Sequence, residues 1–179
     1  MPLSLEVPIT SDRLLLRPVE KDDLDDLALV NGDEEVTRFL PYETWRSRQD
    51  AEAWHDKVMG LVSQGKTLQL VVVMQETNRV IGSCLLFNYD ESSRVAEIGY
   101  VTGREFWRQG LTEEALRMLI TYGFDMVGLR RLCAVVETDN QASMSLLNKL
   151  GFSSEGKASP TPGENVELMK FGLLRQEWC

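Results

Sequence analysis

Phe106-Trp107-Arg108-Gln109-Gly110-Leu111-Thr112-Glu113-Glu114-Ala115 is the stretch that decides how this 179-residue chain is built. A short loop with one glycine runs directly into an amphipathic helix that stays apolar on a broad face to Val127. Glu113, Arg117, Thr121 and Asp125 recur every fourth residue on its wet side. Such a loop leaves backbone N–H groups unpaired at the positive end of a helix dipole, which makes a site for phosphate. Most helix starts meet only water, so the setting carries the argument. An extended Ala96-Glu97-Ile98-Gly99-Tyr100-Val101 precedes the loop. Asp139-Asn140-Gln141-Ala142-Ser143, leading to Lys149-Leu150-Gly151-Phe152, follows it.

Outward from this segment, the remaining elements fall into place. Arg13 to Pro18 reads as a first strand, ended by proline. Glu20 to Val30 reads as an acidic helix with Leu24, Leu27 and Leu29 inward. Asn31-Gly32-Asp33 breaks it, and a shorter helix is expected from Val36 to Leu40. Arg48 to Val62 has helical spacing of Ala51, Trp54, Val58, Leu61 and Val62. Leu68 to Met74 and Val80 to Phe87 form a hairpin across Thr77-Asn78-Arg79, with a further strand from Val95 to Val101. Leu132 to Val136 is fully apolar, as in a strand at a sheet centre. Asn140 to Leu150 is a helix with an asparagine N-cap, stopped by Gly151. Thr161-Pro162-Gly163-Glu164 is a loop tip, and Glu167 to Leu174 is a final strand. With neither repeat nor linker in the chain, residues 1–179 are expected to form one α/β (α+β) domain. Its mixed, mostly antiparallel sheet is flanked by helices on both faces.

Composition narrows the chemistry. The balance of 28 acids against 19 bases, a net charge of -9, disfavours nucleic acid and mildly favours cationic partners such as amines. No apolar run approaches the roughly 18 residues of a membrane span, and the N-terminus lacks a signal-peptide pattern. A cytoplasmic protein without a membrane partner is expected. The three cysteines, Cys84, Cys133 and Cys179, have no metal-pair spacing and are read as structural thiols. No metal is expected. The lone histidine, His55, is read as an ordinary exposed residue of a surface helix.

At these residues the chain resembles the GNAT superfamily of acetyl-CoA-dependent N-acetyltransferases, of the RimJ/RimL type, over nearly its whole length. Thr10 to Pro18 is similar to the family's opening strand, and Ala96 to Tyr100 to its fourth. Trp107 to Ala115 is similar to its pyrophosphate loop and helix. Asn140 to Ser143 with Lys149 to Phe152 is similar to the late helix flanking the cofactor. The resemblance implies acetyl-CoA as co-substrate, an amine-bearing acceptor (a protein N-terminus, as of ribosomal proteins, or a small molecule), and a monomer or homodimer. It assigns cofactor contacts to Tyr100, Val101, Trp107, Arg108, Gln109, Gly110, Leu111, Thr112, Asn140 and Ser143. Tyr100 and Val101 would offer backbone groups to the pantetheine amides, and Trp107 would brace the loop.

Three departures from the family's pattern matter. Arg108 stands where a glycine is usual, which costs nothing if its dihedral angles are ordinary. Thr112 stands where alanine is usual and would crowd the pyrophosphate. Leu147 occupies the place of a tyrosine that donates a proton in many members. These departures give weight to a catalytically silent acyl-CoA-binding module as the alternative. A nucleotide-dependent enzyme is disfavoured, since the chain carries neither a Walker-type phosphate loop nor a dinucleotide fingerprint.

Acetyl transfer to an amine needs the amine neutral and the leaving thiolate supplied with a proton. At pH 7 deprotonation costs roughly 1.4 kcal/mol for an α-amine and roughly 4.6 kcal/mol for a lysine. A carboxylate acting through water suffices for the former. Glu97 is the candidate base; its other reading is a solvent-facing strand glutamate. Glu137 is held in reserve. The resemblance makes Ser143 the proton donor to the departing sulfur; the other reading is a capping role at its helix start, which Asn140 alone could provide. Trp45, Trp54 and the loop from Ser159 to Val166 lie in regions that cover the acceptor in the family.

Overall fold

A computed structural model describes residues 3–160 and 165–178. One eight-stranded sheet organises the molecule, in the order β1-β2-β3-β4-β5-β6-β8-β7. The strands are β1 (Ile9–Thr10), β2 (Leu14–Pro18), β3 (Leu68–Met74), β4 (Arg79–Asp90), β5 (Val95–Thr102), β6 (Arg131–Glu137), β7 (Ser153–Ala158) and β8 (Leu168–Leu174). Every neighbouring pair is antiparallel except β5 and β6. A parallel pair needs a crossover, which here is helix α4 (Leu111–Tyr122), continued by a π-helical turn over Gly123–Val127.

Helices pack on both faces, and strand alternation sorts the side chains between them. On one side Leu14, Leu16, Leu70, Val72, Cys84 and Leu86 meet Leu116, Leu119 and Ile120 of α4 and Leu147 of α5 (Gln141–Lys149). On the other, Val71, Val73 and Val80 meet Leu24 and Leu27 of α1 (Leu24–Asn31) and Ala51 and Val58 of α3 (Arg48–Ser63). A short α2 (Glu34–Thr37) links the two helices, beginning earlier and ending sooner than the Val36 to Leu40 expected. The strands β1 and β7 carry no run of apolar residues and escape a pattern reading. The loop tip expected at Thr161-Pro162-Gly163-Glu164, like Cys179, lies outside the described residues.

Three burial expectations are corrected. Leu29 is 69% exposed, because the inward stripe of α1 is Leu24, Leu27 and Asn31, three and four residues apart. His55 is only 7% exposed: it shares the inner face of α3 with Ala51 and Val58, and its Nδ1 has no hydrogen-bond partner among the described residues. Val135 is 44% exposed, since alternate residues of β6 face away from the main core toward a part of the sheet beyond α1 and α3. Cys84 and Cys133 are buried as expected.

The contrast within α1 gives a direct test. Leu27→Ala should lower stability by about 2–4 kcal/mol, whereas Leu29→Ala should stay within about 0.5 kcal/mol of wild type. Urea denaturation of the two variants checks it; equal losses would refute the assigned face.

Candidate active site

The site begins where the parallel pair comes apart. Strands β5 and β6 are in register only at Val95 with Arg131, Ala96 with Leu132 and Glu97 with Cys133. Beyond Glu97, β5 continues against β4 alone, while β6 continues against β8 alone. The facing backbone groups of Ile98–Thr102 and Ala134–Glu137 therefore lack a ladder partner across the gap, and an extended amide-bearing molecule can supply one. Both strands run toward the open end, so the helices that follow them, α4 and α5, both start at its mouth.

The two helix starts differ in a telling way. At α5, the Asn140 side chain accepts the Ser143 N–H at 3.1 Å. At α3, Ser47 accepts from Asp50 in a capping box. The N-cap of α4 is Gly110, with φ +75, and no side chain caps that helix. The first amides of α4 are left for an anion, and nothing on Gly110 obstructs an approach from outside.

The loop before α4 is held by hydrogen bonds that local sequence does not foretell. Trp107 Nε1 donates to the Thr102 carbonyl at 2.7 Å, which braces the loop on the end of β5 as expected of Trp107. The Gln109 side chain donates to the Glu105 carbonyl at 2.8 Å. Thr112 does not stand free: its hydroxyl lies 2.8 Å from that of Thr102, tying the first turn of α4 to the strand. Arg13 Nη1 donates to the Gln109 carbonyl at 3.1 Å and Nε to Glu114 at 2.7 Å. No signal in the sequence pointed to Arg13 as a loop support, because its partners lie about a hundred residues away.

Arg108 requires a correction. Its φ is +60, in the left-handed region where a side chain is strained, so the condition under which it would cost nothing is not met. The glycine usual at this place relieves that strain. The Arg108 side chain is exposed and has no ion-pair partner among the described residues.

The acidic residues of the first helical turn are drawn aside by partners of their own. Glu113 pairs with Lys149 at 2.5 Å and with Arg117 at 3.1 Å. The Lys149 hydrogen bond leads in holding its carboxyl below the usual range. Glu114 accepts from Ser11 at 2.6 Å and from Arg13. Two negative charges near the anion position are thereby compensated.

Along β5 the side chains alternate between faces. Ala96 and Ile98 enter the core under α4, with Tyr100 packed against it. Val101 joins Val30 of α1, Val36 of α2 and Leu40 on the opposite face, which Glu97 shares by alternation. Glu97 accepts a hydrogen bond from Asn88 Nδ2 at 2.9 Å and stands at the last paired position before the strands part. Glu137 lies on the same face as Cys133 and Val135, at the open end of β6. Tyr100 does more than pack: its phenol oxygen lies 2.5 Å from Ser143 Oγ. Burial pushes that phenol above its ordinary value, with the Ser143 hydrogen bond pulling the other way. Leu147 is wholly buried, so the place of the family's tyrosine is here a core position. Trp45 is buried against Trp54, ring centroids 5.4 Å apart, and serves as an anchor of α3. Among the described residues, no group of three or more acidic, histidine or cysteine side chains could hold a metal ion. No described helix is long and apolar enough to cross a membrane.

The acetyltransferase (GNAT) domain pattern matches residues 13–153. An uncharacterized N-acetyltransferase, p20, of Bacillus licheniformis is 33% identical over 172 residues, covering 94% of this chain and 97% of the relative. A GNAT-family acetyltransferase structure from Bacillus anthracis superposes with a TM-score of 0.83 at 24% identity, over 96% of this chain and all of that one. A spermidine N-acetyltransferase from Vibrio cholerae, solved with CoA and spermine, superposes with a TM-score of 0.79 at 19% identity, over 93% of this chain and 98% of that one. The parted strands and the uncapped glycine-led helix thus occur in a chain that belongs to the acetyltransferase (GNAT) family of N-acetyltransferases.

Proposed function

We propose that this chain transfers the acetyl group of acetyl-CoA directly to a primary amine within a ternary complex. The observation that carries the reading is the gap between β5 and β6, with the uncapped α4 start at its mouth. The residues fit the coenzyme. Amides of Gly110, Leu111 and Thr112 would hold the pyrophosphate in the loop from Trp107, with Arg108 and Gln109 flanking it. The free backbone edge at Tyr100 and Val101 would pair with the pantetheine amides, with Asn140 at the other wall. Bound acetyl-CoA supplies an activated acyl group on a good leaving thiol.

The protein's own groups divide the proton work between two faces of β5. Glu97, on the face shared with Val101, would take the amine proton directly or through water. Ser143, on the α4–α5 face, would supply the leaving sulfur. Amine and leaving group are then served from opposite sides. A modest base suits an α-amine better than an unassisted lysine, since the protonation costs differ by about 3 kcal/mol at pH 7. The acceptor is therefore a primary amine of the protein N-terminal or small-molecule kind, and the spermidine-acetylating relative supports an amine.

Calorimetry with coenzyme A, followed by thiol release across a panel of amines and basic N-terminal peptides, tests the reading. Saturable uptake with amine-dependent release is expected; uptake of neither acetyl-CoA nor coenzyme A by folded protein would sink it. Glu97→Gln should slow turnover about 100-fold while leaving coenzyme A affinity unchanged, and a rate within twofold of wild type would remove Glu97 as base. Arg108→Gly should raise stability by about 1 kcal/mol, or about 2–4 °C in Tm, by relieving the left-handed backbone. A calorimetric scan that moved the other way would show that the arginine side chain holds the loop.

A further inference from the structure

The contact between Tyr100 and Ser143 assigns a direction to a proton. Their oxygens are 2.5 Å apart and either can donate, so relative acidity decides. A phenol, with an ordinary pKa of about 10, is a far stronger acid than an aliphatic alcohol, and the alcohol is the better acceptor. Burial keeps the phenol protonated, so Tyr100 remains a donor through the neutral range. Ser143 Oγ then accepts from Tyr100, and its own proton is left over for a third group. The Ser143 backbone N–H is already held by Asn140, which fixes the residue at the mouth of the gap.

We propose that Tyr100 is a positioning residue that turns the Ser143 proton toward the gap between β5 and β6 and refills it during turnover. The inference rests on the reading of Ser143 given above. In the step itself, the thioester C–S bond breaks and its electron pair stays on sulfur. The Ser143 proton moves to sulfur as the Tyr100 proton moves to Ser143 Oγ. The phenolate then regains a proton from water, balancing the one the amine gives up. Without Tyr100 the serine would be left as an alkoxide, so a lone hydroxyl at this position is a poor acid. The arrangement also accounts for Leu147: a tyrosine is not needed from α5 when one reaches Ser143 from β5.

The sulfur of bound coenzyme A reports on this arrangement without any acceptor. Its thiolate absorbance is titrated in complex with wild type, Tyr100→Phe and Ser143→Ala, alongside coenzyme affinity and circular dichroism. Wild type should lower the bound thiol about one pKa unit below that of free coenzyme A. Tyr100→Phe should lose at least half of that shift and Ser143→Ala all of it, with affinity held within about twofold. With an accepted amine, Tyr100→Phe should lower kcat about tenfold at unchanged KM for acetyl-CoA, and adding it to Ser143→Ala should cost nothing further. A Tyr100→Phe complex titrating like wild type, while Ser143→Ala loses the shift, overturns the role of Tyr100 alone. A bound thiol that titrates like free coenzyme in wild type overturns Ser143 and Tyr100 together. Absence of coenzyme uptake by folded protein overturns the proposed function and, with it, this inference.

Discussion

The parting of β5 from β6 after three residue pairs is the constraint on which the remainder of the structure depends. Backbone amides in a sheet interior are normally consumed by the ladder, and leaving them unpaired is costly unless water or a ligand takes them. Here the neighbours hold each strand separately: β4 pairs with β5 as far as Thr102, and β8 pairs with β6 along its length. Each edge therefore keeps its shape without the other, and the gap persists as a feature of the sheet. Because the pair is parallel, the chain must return through α4. The starts of α4 and α5 then stand at the same open end.

The electrostatics of that end follow from which donors are used and which are spared. Three described helices, α2, α3 and α5, engage an amide of their first turn with an N-cap side chain. Helix α4 does not, and its opening glycine lies in the left-handed region. The acidic side chains in its first turn are neutralised by partners from three other places in the sequence: Ser11 and Arg13 before β2, Arg117 one turn on, and Lys149 at the end of α5. The positive character of the helix start is thus preserved in a chain whose net charge is -9. Strain at Arg108 sits in this same loop, and its support comes from the contacts of Trp107, Gln109 and Thr112 with the neighbouring strand and turn.

Where burial departs from the sequence pattern, the reason is the same each time. Apolarity says that a residue can be buried; only the neighbours decide whether it is. Leu29 lies off the inward stripe of α1, and Val135 faces a part of the sheet that α1 and α3 leave uncovered. His55 shows the converse, a polar side chain carried inward because its helical phase matches Ala51 and Val58. Strands β1 and β7 were missed since one has two residues and the other is almost wholly exposed, so no apolar alternation marks them.

The amino-acid sequence alone determined the order of the main elements, the glycine-led start of α4, the asparagine cap of α5 and the acetyltransferase resemblance. Each is written in neighbouring residues through turn chemistry, capping and periodicity. The tertiary structure alone decided that Arg13 supports the loop, that Arg108 is strained, that Thr112 is tied to Thr102, and that the Tyr100 phenol reaches Ser143. These depend on strand register and on the angle at which helices settle over a sheet, which bring together residues as distant in sequence as Arg13 and Glu114, 101 positions apart. Local preferences fix an element; they do not fix which side chain of a distant element it will meet.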